Sequence, residues 1–168
     1  SNYVLPPLKL LKMGTDVSTS KKLLQQTATD LQNLLKEHGV EAELTKIVPG
    51  PTVTRYEIEL SPGVKVSKVT SLSHDIAYAL ATPDVRLLAP IPGRSAIGIE
   101  IPNRQRRLVS LGDVLTSPEA KKLDHPLNVG LGLDISGQAR LINLSELPHV
   151  LIAGQTGAGK SSCINSIV

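Results

Sequence analysis

The sequence contains no phenylalanine and no tryptophan, and only three tyrosines. That excludes a stacking platform for single-stranded nucleic acid, which needs successive aromatic side chains. Cysteine occurs once, at Cys163, so a disulfide framework and a cysteine-based metal site are both ruled out. No run approaches the eighteen or more apolar residues of a membrane span, and the N-terminus lacks a charged-then-apolar signal pattern. Net charge is small too: 18 Lys and Arg against 15 Asp and Glu leave +3, too mild to argue nucleic-acid binding alone. What remains is a chain of 168 residues, 40% hydrophobic, able to bury one core and the start of a second. Such a chain is expected to be soluble and cytoplasmic.

Pro6 and Pro7 forbid regular helix at the start, so residues 1 to 15 read as an extended lead-in. From residue 20 to 38, Leu24, Ala28, Leu31 and Leu35 fall at i, i+4, i+7 and i+11, and Gly39 supplies a stop, which predicts a helix. A strand is expected over residues 42 to 47. In "TVTRYEIEL", Tyr56, Ile58 and Leu60 alternate with Arg55, Glu57 and Glu59, the pattern of a half-buried strand between the turn pairs Gly50-Pro51 and Pro62-Gly63. Glu57 and Glu59 are expected on its solvated face rather than as an acid–base pair. Val69, Leu72, Ile76 and Leu80 predict a second helix ended by Pro83. "VRLLA" and "AIGIEI", flanking Pro92-Gly93, read as two further strands. The order α-β-β-α-β-β predicts an α+β domain in which two helices cover one face of a four-stranded sheet.

"PNRQRRLVSLGDVL" leads out of that domain. Ser110 and Asp113 suggest a capping box on a short helix from 111 to 115. Arg104, Arg106 and Arg107 could meet phosphates or a neighbouring subunit, but a short basic run is more simply a solvated linker. "NVGLGLDISGQARLINL" reads as a hairpin about Ser136-Gly137.

Next, "HVLIA" runs into "GQTGAGKS", a match to G-x-x-x-x-G-K-[ST]. The expected context is an apolar strand over residues 150 to 153 before the loop and a helix after it. Gly154, Gly157 and Gly159 let the backbone turn so that N–H groups point at phosphate oxygens at the positive end of the helix. Lys160 is placed to reach the β- and γ-phosphates, and Ser161 to ligate Mg²⁺. The expected nucleotide-contacting set is Gly154, Gln155, Thr156, Gly157, Ala158, Gly159, Lys160, Ser161 and Ser162, with ATP and Mg²⁺ as cofactors. In-line phosphoryl transfer also requires an acidic group for the metal, a water-positioning group and often an arginine from a neighbour. The seven residues after Ser161 supply none of these, so no catalytic residue is assigned. The expectation is an ATP site separated from its catalytic partners, with weak or no ATP binding and no turnover.

The stretches "VPGPTVTRYEIELSPGVKVSKVTSLSHDIAYAL", "IPGRSAIGIEIPN", "DISG" and "LPHVLIAGQTGAGKSSCIN" resemble, in that order, the FtsK/SpoIIIE family of bacterial DNA translocases. The resemblance implies a hexameric ring motor that uses ATP to pump double-stranded chromosomal DNA at the division or sporulation septum. It implies an α domain with its linker over residues 16 to 125, and from residue 126 the opening of a RecA-like α/β P-loop domain, the β domain. Partners implied are double-stranded DNA, five further copies in a homo-hexamer, and the remaining β and γ domains; the intact parent is implied to be anchored in the cell membrane. The family often has Thr-Thr-Gly-Ser in the loop, where this chain has Gln155 and Ala158 at two of the positions. Many relatives also have lysine where Leu133 stands. Two alternatives accompany this reading: a related secretion-type ring ATPase that moves protein, and a ring-assembly module that binds no nucleotide itself.

His125 and His149, each beside a proline, read as loop residues, and His38 and His74 as helix-surface residues. Cys163 reads as a small packing residue.

Overall fold

The apolar stripe of the first helix fixes the core of the molecule. In the computed structural model, which describes residues 6–15 and 20–168, α1 spans Lys21–Glu37 and buries Ala28, Leu31 and Leu35. Residues 1 to 5 of the expected lead-in, and 16 to 19, lie outside the described residues. Within the lead-in, Pro6 and Pro7 precede a single 3-10 turn, Leu8–Leu10. The described residues divide into two compact units, one within Asp16–Arg107 and one combining the lead-in with Leu108–Val168.

The first unit holds β1 (Ala42–Pro49), β2 (Val53–Leu60), β3 (Arg86–Leu88) and β4 (Ile97–Pro102). They form one sheet of order β1-β2-β4-β3, and every pairing is antiparallel. Period-two alternation places Tyr56, Ile58, Ile97, Ile99 and Ile101 among the buried residues, with the stripe of α1 in the same core cluster. Each such side chain contributes about 1.5–3 kcal/mol through loss of apolar surface to water.

The second helix differs from expectation. The Val69–Leu80 stripe is carried by two helices, α2 (Val66–Thr70) and α3 (Ser73–Ala79), with Ser71 and Leu72 between them. The hydroxyl groups of Thr70 and Ser71 donate to the carbonyls of Ser67 and Lys68, at 3.3 and 3.2 Å, so side chains compete with the helix where "TSLS" concentrates them. Val69, Leu72 and Ile76 still reach the core, because the stripe needs only the right faces, not one unbroken axis.

The second face of the sheet is a further correction. Glu59 is exposed as expected, but Glu57 is 1% exposed and Glu100 6%. The segment between β3 and β4 folds back so that Ile91 is buried, and Gly98 makes room for it. A Cβ on Gly98 would stand 2.9 Å from Arg55 Cδ and 3.3 Å from Ile91 Cγ1. Glu57 meets Arg55 at 3.3 Å and forms an ion pair with Arg94. Alternation alone cannot reveal that a loop and two arginines cover this face.

The second unit contains α4 (Leu111–Leu115), α5 (Pro118–Lys121) and an antiparallel hairpin of β5 (Asn128–Leu133) and β6 (Ala139–Asn143). The capping box on α4 is complete: Asp113 N–H donates to Ser110 Oγ at 3.2 Å, and Ser110 N–H to Asp113 Oδ2 at 2.9 Å. The same carboxylate accepts from Gly14 N–H at 3.1 Å, which ties the lead-in to α4. α6 (Lys160–Ile167) ends the chain.

Candidate nucleotide-binding site

Two glycines in left-handed conformation shape the loop before α6. Gly157 has φ +81° and Gly159 φ +91°, a region that side-chain-bearing residues enter at a cost of roughly 1–2 kcal/mol. The 154–161 spacing therefore has a backbone reason at both positions. Ala158 N–H donates to Gln155 O at 3.1 Å, closing a tight turn around Thr156 and Gly157. Gly159 is the N-cap of α6, and the first full helical bond runs from Cys163 N–H to its carbonyl at 2.9 Å. The N–H groups of Lys160, Ser161 and Ser162 consequently have no acceptor within the helix, at its partly positive end.

Lys160 bends back over the loop. Its Nζ donates to the carbonyls of Gly154 at 2.6 Å and Gln155 at 2.8 Å. The Ser161 side chain is exposed, and Ser162 O accepts from Ser166 Oγ at 2.8 Å. The donor set fits a phosphate chain: free helix-terminal N–H groups, one flexible ammonium, one accessible hydroxyl, and glycines at the two positions where the loop takes a left-handed turn. Lys160 and the N–H groups of the loop would hold the phosphates, and Ser161 the Mg²⁺ that accompanies them. Among the described residues no group of three His, Cys, Asp or Glu is placed to hold a metal ion by itself.

The expected strand over residues 150 to 153 is not formed. No strand among the described residues pairs with it, and Val150 and Leu151 are 50% and 90% exposed. An apolar sequence becomes a strand only where a partner completes its hydrogen bonds. Cys163 is half-buried on α6, whereas His38, His74, His125 and His149 are exposed. His125 Nδ1 accepts from Leu127 N–H at 3.2 Å, a turn contact.

Sequence reasoning missed the centre of the β5–β6 turn. Asp134 accepts from Ser136 N–H, Ser136 Oγ, Gln138 N–H and both Nε and Nη2 of Arg140, at 2.6 to 3.0 Å. Desolvation pushes its carboxyl up. The Ser136 hydroxyl, Gln138 N–H, Arg140 and Ser136 N–H outweigh that and bring its pKa down to about 2. The Asp-x-Ser-Gly order was the available signal, since such aspartates bond their own turn. Buried Tyr56 behaves oppositely: burial raises its pKa, and a hydrogen bond with Thr27 offsets part of the rise.

A glycine loop of this backbone shape, with its lysine and serine at the head of a helix and an antiparallel α+β unit before it in the sequence, defines a P-loop nucleotide-binding class. Residues 5–103 match the FtsK alpha domain, and residues 110–168 match the FtsK/SpoIIIE family. The chain belongs to the FtsK/SpoIIIE family. It is 50% identical over 166 residues to the DNA translocase FtsK of Streptomyces avermitilis, covering 99% of this chain and 18% of that protein. The DNA translocase FtsK of Staphylococcus aureus strain Mu50 is 52% identical over 168 residues, 99% of this chain and 21% of its own length. That of Mycobacterium tuberculosis strain H37Rv is 50% identical, again over 99% of this chain and 20% of its own. The chain thus spans about a fifth of the length of these curated relatives. A solved structure of the pCW3 conjugation coupling protein TcpA, monomer form with ATPγS, aligns over 84% of this chain and 40% of its own, with TM-score 0.37 and 17% identity.

Proposed function

We propose that this chain is part of an ATP-driven, hexameric motor that moves double-stranded chromosomal DNA at the division or sporulation septum. Residues 16 to 125 serve as its α domain with linker, and residues 126 to 168 open a RecA-like β domain. The single observation that carries the reading is the loop at 154–161, with its two left-handed glycines, in a chain half identical to proteins named as DNA translocases. Gly154, Gln155, Thr156, Gly157, Ala158, Gly159, Lys160, Ser161 and Ser162 hold ATP, with Mg²⁺ on Ser161. Binding, orientation and charge neutralisation are the work of these residues; bound Mg²⁺ supplies Lewis-acid polarisation of the phosphates. The ammonium of Lys160 must leave the carbonyls of Gly154 and Gln155 to meet phosphate oxygens, a short rotation of a flexible side chain. These residues work on the cytoplasmic side, and the intact protein is anchored in the cell membrane.

Calorimetric titration of residues 1–168 with ATP and Mg²⁺ tests the site. Weak, saturable binding is expected, because the exposed 150–153 segment leaves the loop without a rigid support. Lys160→Ala should remove it without changing the melting temperature. Binding that survives Lys160→Ala, or turnover by these residues alone, would sink the assignment of roles made here.

A further inference from the structure

A cavity of about 390 Å³ opens in the first unit between α1, the C-terminal end of α3 and the chain leaving β4. Leu24, Thr27, Tyr56 and Leu80 line it, and Arg104 and Arg106 line it from the exit segment. That exit segment is fixed by Asn103, whose Nδ2 donates to Gly50 O at 2.8 Å, whose Oδ1 accepts from buried Thr54 Oγ1 at 2.8 Å, and whose N–H donates to Thr52 O at 2.9 Å. Arg107 N–H donates to Pro51 O at 2.8 Å, so the segment is held on both sides of Arg104 and Arg106. Both side chains are exposed and make no hydrogen bond or ion pair among the described residues.

Two guanidinium groups without partners among the described residues stand on a backbone segment held on both sides, so little backbone entropy is left to lose on meeting an anion. Guanidinium is the side chain best matched to phosphate, through its planar fork of donors. One acidic group lines the cavity, Asp30, and its Oδ1 already accepts from Gln26 Nε2 at 2.9 Å. We infer that Arg104 and Arg106 form a phosphate-contacting subsite of the α domain for the backbone of duplex DNA. The inference rests on the translocase reading and assigns part of the DNA grip to a surface outside the nucleotide site. Phosphate contacts position a duplex without reading its sequence, as a translocating motor requires.

Fluorescence anisotropy of a labelled duplex against residues 1–168, across a KCl series, tests the subsite. Each phosphate neutralised contributes about 0.9 to the slope of log affinity against log salt, so Arg104→Ala with Arg106→Ala should flatten that slope by about 1.8. Lysine at both positions should restore most of it. Removing two exposed charges elsewhere, Lys121→Ala with Lys122→Ala, should leave it unchanged. An unchanged slope in the double arginine variant, an equal loss in the lysine control, or no duplex binding at the lowest salt overturns the inference. So does a result in which the arginine variant loses calorimetric ATP binding but keeps duplex binding, which would make the source a free nucleotide phosphate. Because ATP binding through Lys160 is measured separately, failure of the subsite is distinguishable from failure of the translocase reading. Both arginines are exposed, so the variants should retain the fold, with circular dichroism melting as the check.

Discussion

The runs at 96–101 and 150–153 are both short, apolar and bounded by turn residues, yet Ile99 is fully buried while Leu151 is 90% exposed. β4 lies between β2 and β3, with α1 over one face and the Ile91 loop over the other. The second run has no pairing strand among the described residues. Hydrophobicity therefore does not decide burial. A run is buried when neighbours satisfy its backbone and cover its sides, and the two units of this chain differ in that supply.

The largest test of this contrast is a matched pair of truncations. Ile99→Ala should cost about 4 kcal/mol in urea unfolding, through lost transfer energy and the cavity left behind. Leu151→Ala should stay within about 0.5 kcal/mol of the parent, since it already lies in water. Similar losses at both positions would break the comparison. A smaller effect is expected on the polar face of the same sheet. Glu57→Gln leaves Arg55 and Arg94 without their carboxylate, but Arg94 is 43% exposed and can rehydrate. The cost should be about 2 kcal/mol by chemical denaturation, below that of a fully enclosed pair. A value near zero would mean that the Ile91 loop, rather than the ion pairs, secures that face.

The smallest effect sharpens the comparison from the other unit. Asp134 has a lowered pKa in the folded hairpin, so its stabilising contribution is present above the ordinary carboxylate value and disappears as pH falls from there through about 2. Carboxyl chemical shifts followed by NMR should titrate near 2 for Asp134. A midpoint near 4 would show that the bonds to Ser136, Gln138 and Arg140 do not persist in solution.

Legibility followed the same division. α1, the apolar face of β2 and β4, the α4 capping box and the hairpin were readable because each rests on local spacing. The split between α2 and α3 was not, since the apolar stripe is indifferent to a two-residue break. α5 went unread although Ser117, Pro118 and Glu119 carry its start: Ser117 Oγ accepts from Ala120 N–H at 3.1 Å, and Pro118 is the first helical residue. Burial of Glu57 depends on Arg94, 37 residues away, which no local pattern contains. At the 154–161 loop, the left-handed glycines fall where spacing places them, whereas the bend of Lys160 toward Gly154 and Gln155 and the unpaired 150–153 segment are properties of the fold that no local pattern contains.

The fastening of Asn103 and Arg107 to residues 50–54 has a mechanical consequence. Tension applied to the chain at Leu108 meets the Arg107–Pro51 bond first, then the contacts of Asn103 with Gly50, Thr52 and Thr54. Behind them lies β4, an inner strand bonded along both sides. A pull along that strand shears its hydrogen bonds together rather than peeling them one after another from an edge. A load on this segment therefore reaches the inner strand only through the bonds of Arg107 and Asn103.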